Sequence, residues 1–261
     1  MITNCLSVDL ESSFHRQFNL SKRIKSNNSQ LIGSTKALLD IFDDFSVKTT
    51  FFVVGEIYDQ NPELIETIKK HGHEIAYHTH RHILLKNQED LINELKLSRK
   101  FLARFRPIGF RAPRMFFKKE YFSILTDYGF KYDSSTYDSF STTKNFSGIK
   151  ELPVSLFSFF PNLNLSFPKN LKRSFIKGLP FGSGLFLSLF QKQIQAFINL
   201  INKQHQPAIF LIHPWQISHY QSPILLKELY NIPRLMYRIP INRALKYLLA
   251  SNKFAPMREL L

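Results

Sequence analysis

TTFFVVGEIYDQNPELIETIKKHGHEIAYHTHRH, residues 49–82, is the stretch from which the fold is read. Residues 49–54 form a short apolar, β-favouring run that reads as a buried strand. Asn61-Pro62 then opens a helix, with Asn at the cap and Pro at the first helical position. Leu64, Ile65 and Ile68 give that helix one apolar face, and Gly72 ends it. Residues 73–77 read as the next strand, and polar residues crowd directly after it: His78-Thr79-His80-Arg81-His82. Strand, helix, strand is the signature of parallel strands joined by crossover helices.

The same alternation extends both ways. Residues 5–9 read as a buried strand. A helix is expected over 88–104, with Leu91, Ile92, Leu95, Leu102 and Phe105 on its periodic face. Residues 109–112 read as a strand end, 118–128 as a helix closed by Gly129, and 130–133 as another strand. Residues 208–213 have the pattern of a central strand, and 242–249 that of a final helix. Asp9, His78, Arg111, Asp133 and His213 all fall at carboxyl ends of expected strands, where parallel α/β sheets and barrels bind ligands. Between about 139 and 191 the pattern degrades into Phe-rich sequence with a Pro180-Phe181-Gly182-Ser183-Gly184 turn. This reads as an insertion folding over the active face of a single domain, residues 1–261.

Composition narrows the class. With 44% apolar residues and 26 Phe, the chain can fill a substantial core. The charge, 35 − 20 = +15, is strongly basic, with local clusters such as Lys169, Lys172, Arg173 and Lys177. No helix-turn-helix, zinc-finger or RNA-binding aromatic signature accompanies it, so nucleic acid is not expected as a partner. The single cysteine, Cys5, cannot form a disulfide within the chain. No secretory pattern and no uncharged apolar run of about 18 residues is visible, and a cytoplasmic location is expected.

Two histidines four apart, His78 and His82, can offer imidazoles to one cation, from a helix face or across a tight turn. Alone they read equally as a solvated loop. Asp9 and Glu11, spaced by one, supply acids on another strand end, against the alternative of a turn cap and a solvated side chain. Arg111-Ala112-Pro113 places a cation beside a rigid turn, and Asp9 would serve as its carboxylate partner. His213 emerges from a buried strand, where Asp133 could orient it for acid–base work; a satisfied core histidine is the alternative. Trp215 reads as a sugar-binding floor or as a core aromatic.

In order, Asp9/Glu11, His78 to His82, Arg111-Ala112-Pro113, Asp133 and Leu211-Ile212-His213 resemble the five motifs of the polysaccharide deacetylases of the NodB-homology type. The resemblance covers about 210 residues, and the ordered set is far more specific than any one motif. Residues 179–184 and His213-Pro214-Trp215 look like the subgroup associated with exopolysaccharide biosynthesis. The resemblance implies a distorted (β/α) barrel of about seven strands with one catalytic divalent metal, usually zinc. It makes His78 and His82 metal ligands, Asp9 the general base held by Arg111, and His213 the general acid supported by Asp133. The backbone N–H of Arg114 would help stabilise the oxyanion. One departure stands out: many members carry two adjacent acids, but the neighbour of Asp9 is Leu10, so the ligand role passes to Glu11.

The activity expected is metal-dependent removal of N-acetyl groups from an N-acetylated sugar or glycan. Hydrolysis of another C–N bond in a small amide or ureide, and a non-catalytic glycan- or surface-binding module, are the alternatives. The basic charge and the Phe-rich segment add the expectation of peripheral contact with anionic lipid.

Overall fold

The first strand, β1 (Thr3–Leu10), is buried along nearly its whole length, as a strand covered on both faces must be. In the computed structural model, which describes residues 2–12, 28–217 and 239–261, β2 (Thr50–Val53), β3 (Glu74–Tyr77), β4 (Gly109–Phe110) and β5 (Tyr132–Asp133) follow it side by side. Short strands come next: β6 (Tyr137–Asp138), β7 (Asn145–Phe146), β8 (Ile149–Glu151), β9 (Val154–Ser155), β10 (Phe157–Ser158) and β11 (Gly178–Leu179). Last come β12 (Ile209–Ile212) and β13 (Lys253–Ala255). The main sheet runs β12-β1-β2-β3-β4-β5-β8-β7, with β13 beside β1. From β12 to β8 every pairing is parallel. The architecture is the α/β, distorted (β/α) barrel.

Strand alternation sorts side chains into two cores. Leu6, Val8, Leu10, Phe51, Val53, Tyr77, Phe110 and Ile212 pack outward against helices, including α1 (Asn28–Asp44), α2 (Gly55–Gln60) and α3 (Pro62–Lys70). Cys5, Phe52, Ala76, Tyr132 and Ile209 pack inward with Met257. The inward rows continue upward as Ser7 and Asp9 on β1, with Glu11 just after it, as His78 after β3 and as His213 after β12.

Several local expectations meet a different arrangement. Asn61 does not cap α3 with its side chain; Asn87 does cap α4 (Gln88–Leu97), accepting from Asp90 N at 2.9 Å. The helix expected over 88–104 is divided at Ser98 into α4 and α5 (Arg99–Phe105), and Ser98 Oγ lies 3.1 Å from His80 Nδ1. Residues 139–191, expected as an insertion, contribute β8 to the main sheet. They also span from its far end back to β12. Gly182 N donates to Ser155 O at 2.9 Å, Leu211 N to Gly182 O at 2.8 Å, and Ile209 N to Ser155 Oγ at 2.8 Å. Those bonds help close the barrel. Lys169 and Lys177, part of a basic cluster in the sequence, both pair with buried Asp138, at 2.5 and 2.6 Å. What the segment leaves outside is the end of the β10–β11 ribbon, where Phe159 (61% exposed), Phe160 (59%), Phe175 (51%) and Ile176 (60%) face solvent.

Candidate metal centre and active site

Because β1 alternates, Ser7 and Asp9 share one face while Leu10 packs into the outer core, and Glu11, just past the strand, reaches the same side as Asp9. An acid at position 10 would point the wrong way as long as the strand continues. Asp9 Oδ1 accepts from Arg111 Nη1 at 2.6 Å, and the same nitrogen donates to Ser7 Oγ at 2.9 Å. Arg111 is fully buried, and its remaining donors reach Ser134 O and Ser134 Oγ, both at 2.8 Å, while its guanidinium lies 3.9 Å from the Phe52 ring centroid. A buried cation this well satisfied fixes its carboxylate partner in place.

The histidines sit on a tight turn after β3, the second of the two geometries open from sequence. Thr79 (φ 60°) and His82 (φ 54°) adopt the left-handed region, which costs non-glycine residues on the order of 1–3 kcal/mol each. The surroundings hold that turn. His78 Nδ1 donates to Arg111 O at 2.7 Å, so its Nε2 faces Asp9 Oδ2 at 3.6 Å. His82 N donates to Thr79 Oγ1 at 3.1 Å. Glu94, fully buried on α4, accepts from His80 N at 3.0 Å, Arg81 N at 2.6 Å and Arg81 Nε at 2.7 Å.

One ligand atom from each of Glu11, His78 and His82 lies within 4.8 Å of the others, and all three residues are buried. Glu11 Oε2 is 2.8 Å from His82 Nε2, yet this buried oxygen makes no aligned hydrogen bond. Two such atoms aimed at a common point suit a shared divalent cation. The protonation states agree. Burial pushes the His78 imidazole down to about 4, so it is neutral at neutral pH. Burial works to raise Glu11, but His82, His213 and His78 outweigh it and hold the carboxyl well below its usual range.

His213 closes the far side, its Nε2 3.3 Å from Glu11 Oε1 and its ring stacked on Trp215 at 4.5 Å and 22°. Arg114 follows Pro113 in a left-handed conformation (φ 59°). The structure thus brings together Asp9, Glu11, His78, His82, Arg111 and His213.

Asp133 is the exception. Its Oδ1 and Oδ2 accept from Ser135 Oγ (2.5 Å) and Ser135 N (3.0 Å), and it pairs in register with Glu151 rather than with His213. Alternation explains the miss: Tyr132 takes the inward position on β5, and four strands separate β5 from β12 in the sheet. Burial pushes the carboxyls of Asp133 and Glu151 up, Glu151 further because Asp133 lies against it. Asp133 also orders the site indirectly, since Ser135 Oγ receives Ala112 N at 2.7 Å.

The group beside His213 is Gln216, whose Oε1 lies 3.2 Å from Nδ1. Sequence reading passed over it and Glu94. An acid on the apolar stripe of α4, between Leu91 and Leu95, was the available signal for Glu94.

Comparison with known proteins bears on the fold and on part of the chain. Residues 31–132 match the family model described as polysaccharide deacetylase, a span that includes His78, His82 and Arg111. A peptidoglycan-N-acetylglucosamine deacetylase of Bacillus cereus is 30% identical over 101 residues, which are 37% of this chain and 47% of that protein. Chitin deacetylase 1 of Cryptococcus neoformans is 38% identical over 63 residues, 23% of this chain and 13% of that one. The chain thus spans less than half the length of either relative. Among solved structures, a Mycobacterium smegmatis protein of the polysaccharide deacetylase class superposes with a TM-score of 0.66 at 21% identity, covering 99% of this chain and 89% of that one. A Bacillus anthracis pseudoenzyme of carbohydrate esterase family 4 gives 0.51 at 13% identity, over 99% and 64% of the two chains. The fold is therefore shared by a pseudoenzyme, so side chains rather than the fold decide activity.

Proposed function

We propose that this chain, whose residues 31–132 match the polysaccharide deacetylase family model, is a metal-dependent hydrolase removing N-acetyl groups from an N-acetylated sugar or glycan. The observation that carries this reading is the convergence of Glu11, His78 and His82 beside an Arg111-held Asp9, with His213 opposite. A pseudoenzyme needs no such complete set.

Glu11, His78 and His82 would hold a divalent cation, zinc in our reading, which would supply Lewis acidity for the acetyl carbonyl and for water. The chain's own groups supply the rest. Arg111 occupies Asp9 Oδ1, which leaves Oδ2 to take the proton of the attacking water. The Arg114 N–H, presented by the turn after Pro113, donates to the acetyl oxygen as negative charge develops there. His213, once it has taken up a proton from solvent on Nε2, delivers that proton to the departing sugar nitrogen and returns to its neutral form. The Trp215 ring, half-buried and stacked on His213, gives the sugar an apolar floor. The exposed aromatic end of the β10–β11 ribbon and the net charge of +15 support a peripheral seat on anionic lipid.

Acetate release from N-acetylglucosamine oligomers, measured before and after chelation and zinc restoration, tests the reading. Asp9→Asn and His213→Ala should each lower turnover by about 10²–10⁴-fold with an unchanged circular dichroism spectrum. Turnover like the wild type's in either variant rejects the assignment. Ammonia released from amides or ureides without acetate would move it to another C–N bond.

A further inference from the structure

The Nδ1 edge of His213 is served by a neutral amide. Gln216 is buried, and its Oε1 accepts from the His213 backbone N at 2.9 Å while lying 3.2 Å from His213 Nδ1. Its Nε2 donates to Gly184 O at 2.9 Å and to Ser188 Oγ at 3.3 Å. These partners fix which way the amide faces. Turned over, its NH2 would meet the His213 N–H and its oxygen would meet the Gly184 carbonyl, two like-with-like contacts in a buried place.

With Oε1 on that edge, Nδ1 must carry a hydrogen, because a carbonyl oxygen only accepts. A neutral imidazole has one N–H, so its basic nitrogen is then Nε2, on the Glu11 side. The task therefore needs one side chain that accepts twice at one end and donates at the other. Glutamate keeps the shape and the acceptors but turns an oxygen toward the Gly184 carbonyl. Gly184 matters for space: a Cβ there would lie 2.3 Å from Gln216 Oε1 and 2.8 Å from Nε2.

We propose that Gln216, seated against Gly184, is the positioning residue of His213, fixing its ring orientation and its Nδ1–H tautomer. The role in turnover rests on the deacetylase reading, but the tautomer does not. Gln216 touches His213 rather than the reacting atoms, so its effect belongs in kcat.

Two measurements on the zinc-loaded full chain test this. Nitrogen-15 NMR of labelled histidine should show His213 as the Nδ1–H tautomer in the wild type, and that signature should be lost in Gln216→Ala. In acetate release from N-acetylglucosamine oligomers, Gln216→Ala and Gln216→Glu should each lower kcat by about 10–100-fold, within the range of acid–base catalysis. KM and zinc content should stay close to wild type, while the melting temperature should fall as the buried partners of Gln216 lose their hydrogen bonds. Gly184→Ala, which displaces Gln216 without altering it, should lower kcat likewise and gives a second route if a Gln216 variant folds poorly. An Nε2–H tautomer in the wild type overturns the proposal without any variant, and so does an unchanged kcat in folded Gln216→Ala. A wild type that releases no acetate yet shows the tautomer and its loss would sink the deacetylase reading and leave the positioning role standing.

Discussion

His73 shows how one buried side chain sets a pH limit on the whole protein. Its Nδ1 accepts from Thr49 N at 3.0 Å, and its ring packs against Phe42 and Phe51 at centroid distances of 5.4 and 5.2 Å. Burial, with Lys48 nearby, pushes its pKa from 6.5 down to about 4. Between those two values the unfolded chain takes up a proton that the folded chain refuses. Stability is therefore full above about pH 6.5 and falls as pH drops toward 4, by on the order of 3 kcal/mol for this residue. His78 adds a loss of the same sign in metal-free protein. Urea unfolding of metal-free protein at several pH values should show that decline. His73→Leu should be weaker at pH 7, having lost the acceptor for Thr49 N, and less sensitive to acid. A stability indifferent to pH across this window would contradict the assignment. The residue's type and strand position were legible in sequence, but its burial was not.

At the scale of elements, α4 does more than cover the sheet. Glu94 sits among its buried Leu91 and Leu95, where a helix reading expects an apolar residue. It reaches the turn between His78 and His82 with three accepted hydrogen bonds, and its backbone oxygen receives Tyr77 Oη at 2.8 Å. The helix therefore clamps the turn that carries two of the three candidate ligands. Glu94→Gln replaces an acceptor with an NH2 group facing donors, so we expect a loss of about 1.5–3 kcal/mol in stability. Zinc affinity should weaken by about 10–100-fold, the usual effect of disturbing groups behind the ligands. Competition titration against a chromophoric chelator measures the second quantity, and an unchanged affinity would reduce Glu94 to a structural role. Strands and helices were legible because their periodicity is local. The break at Ser98 and the sheet membership of Ile149–Glu151 were not, since partners distant in sequence decide both.

At the scale of the whole molecule, the proposed seat on anionic lipid draws on net charge and on exposed apolar surface. No helix among the described residues is long and apolar enough to cross a membrane. Phe159, Phe160, Phe175 and Ile176 nevertheless stand out from the ribbon end, with Lys172 exposed on the short helix before it. Single exposed apolar residues are ordinary, but a group beside basic charge is suited to a headgroup layer. The full chain should sediment with phosphatidylglycerol-containing vesicles and not with phosphatidylcholine alone, and added salt should release it. A Phe159→Ser, Phe160→Ser double variant should lose most of that binding while keeping acetate release. Equal sedimentation with both lipids, or none with either, would count against the membrane seat.

The ordered motifs, the alternation of strands with helices and the polar residues at strand ends are all written in local pattern, because periodicity and turn chemistry act over a few residues. Convergence is not. That Glu11 rather than its neighbour points inward, that Asp133 turns to Ser135 and Glu151, and that Gln216 stands beside His213 all depend on which face of each strand looks into the barrel. That is settled only when strands far apart in sequence pair in register, since a shift of one residue exchanges the two faces.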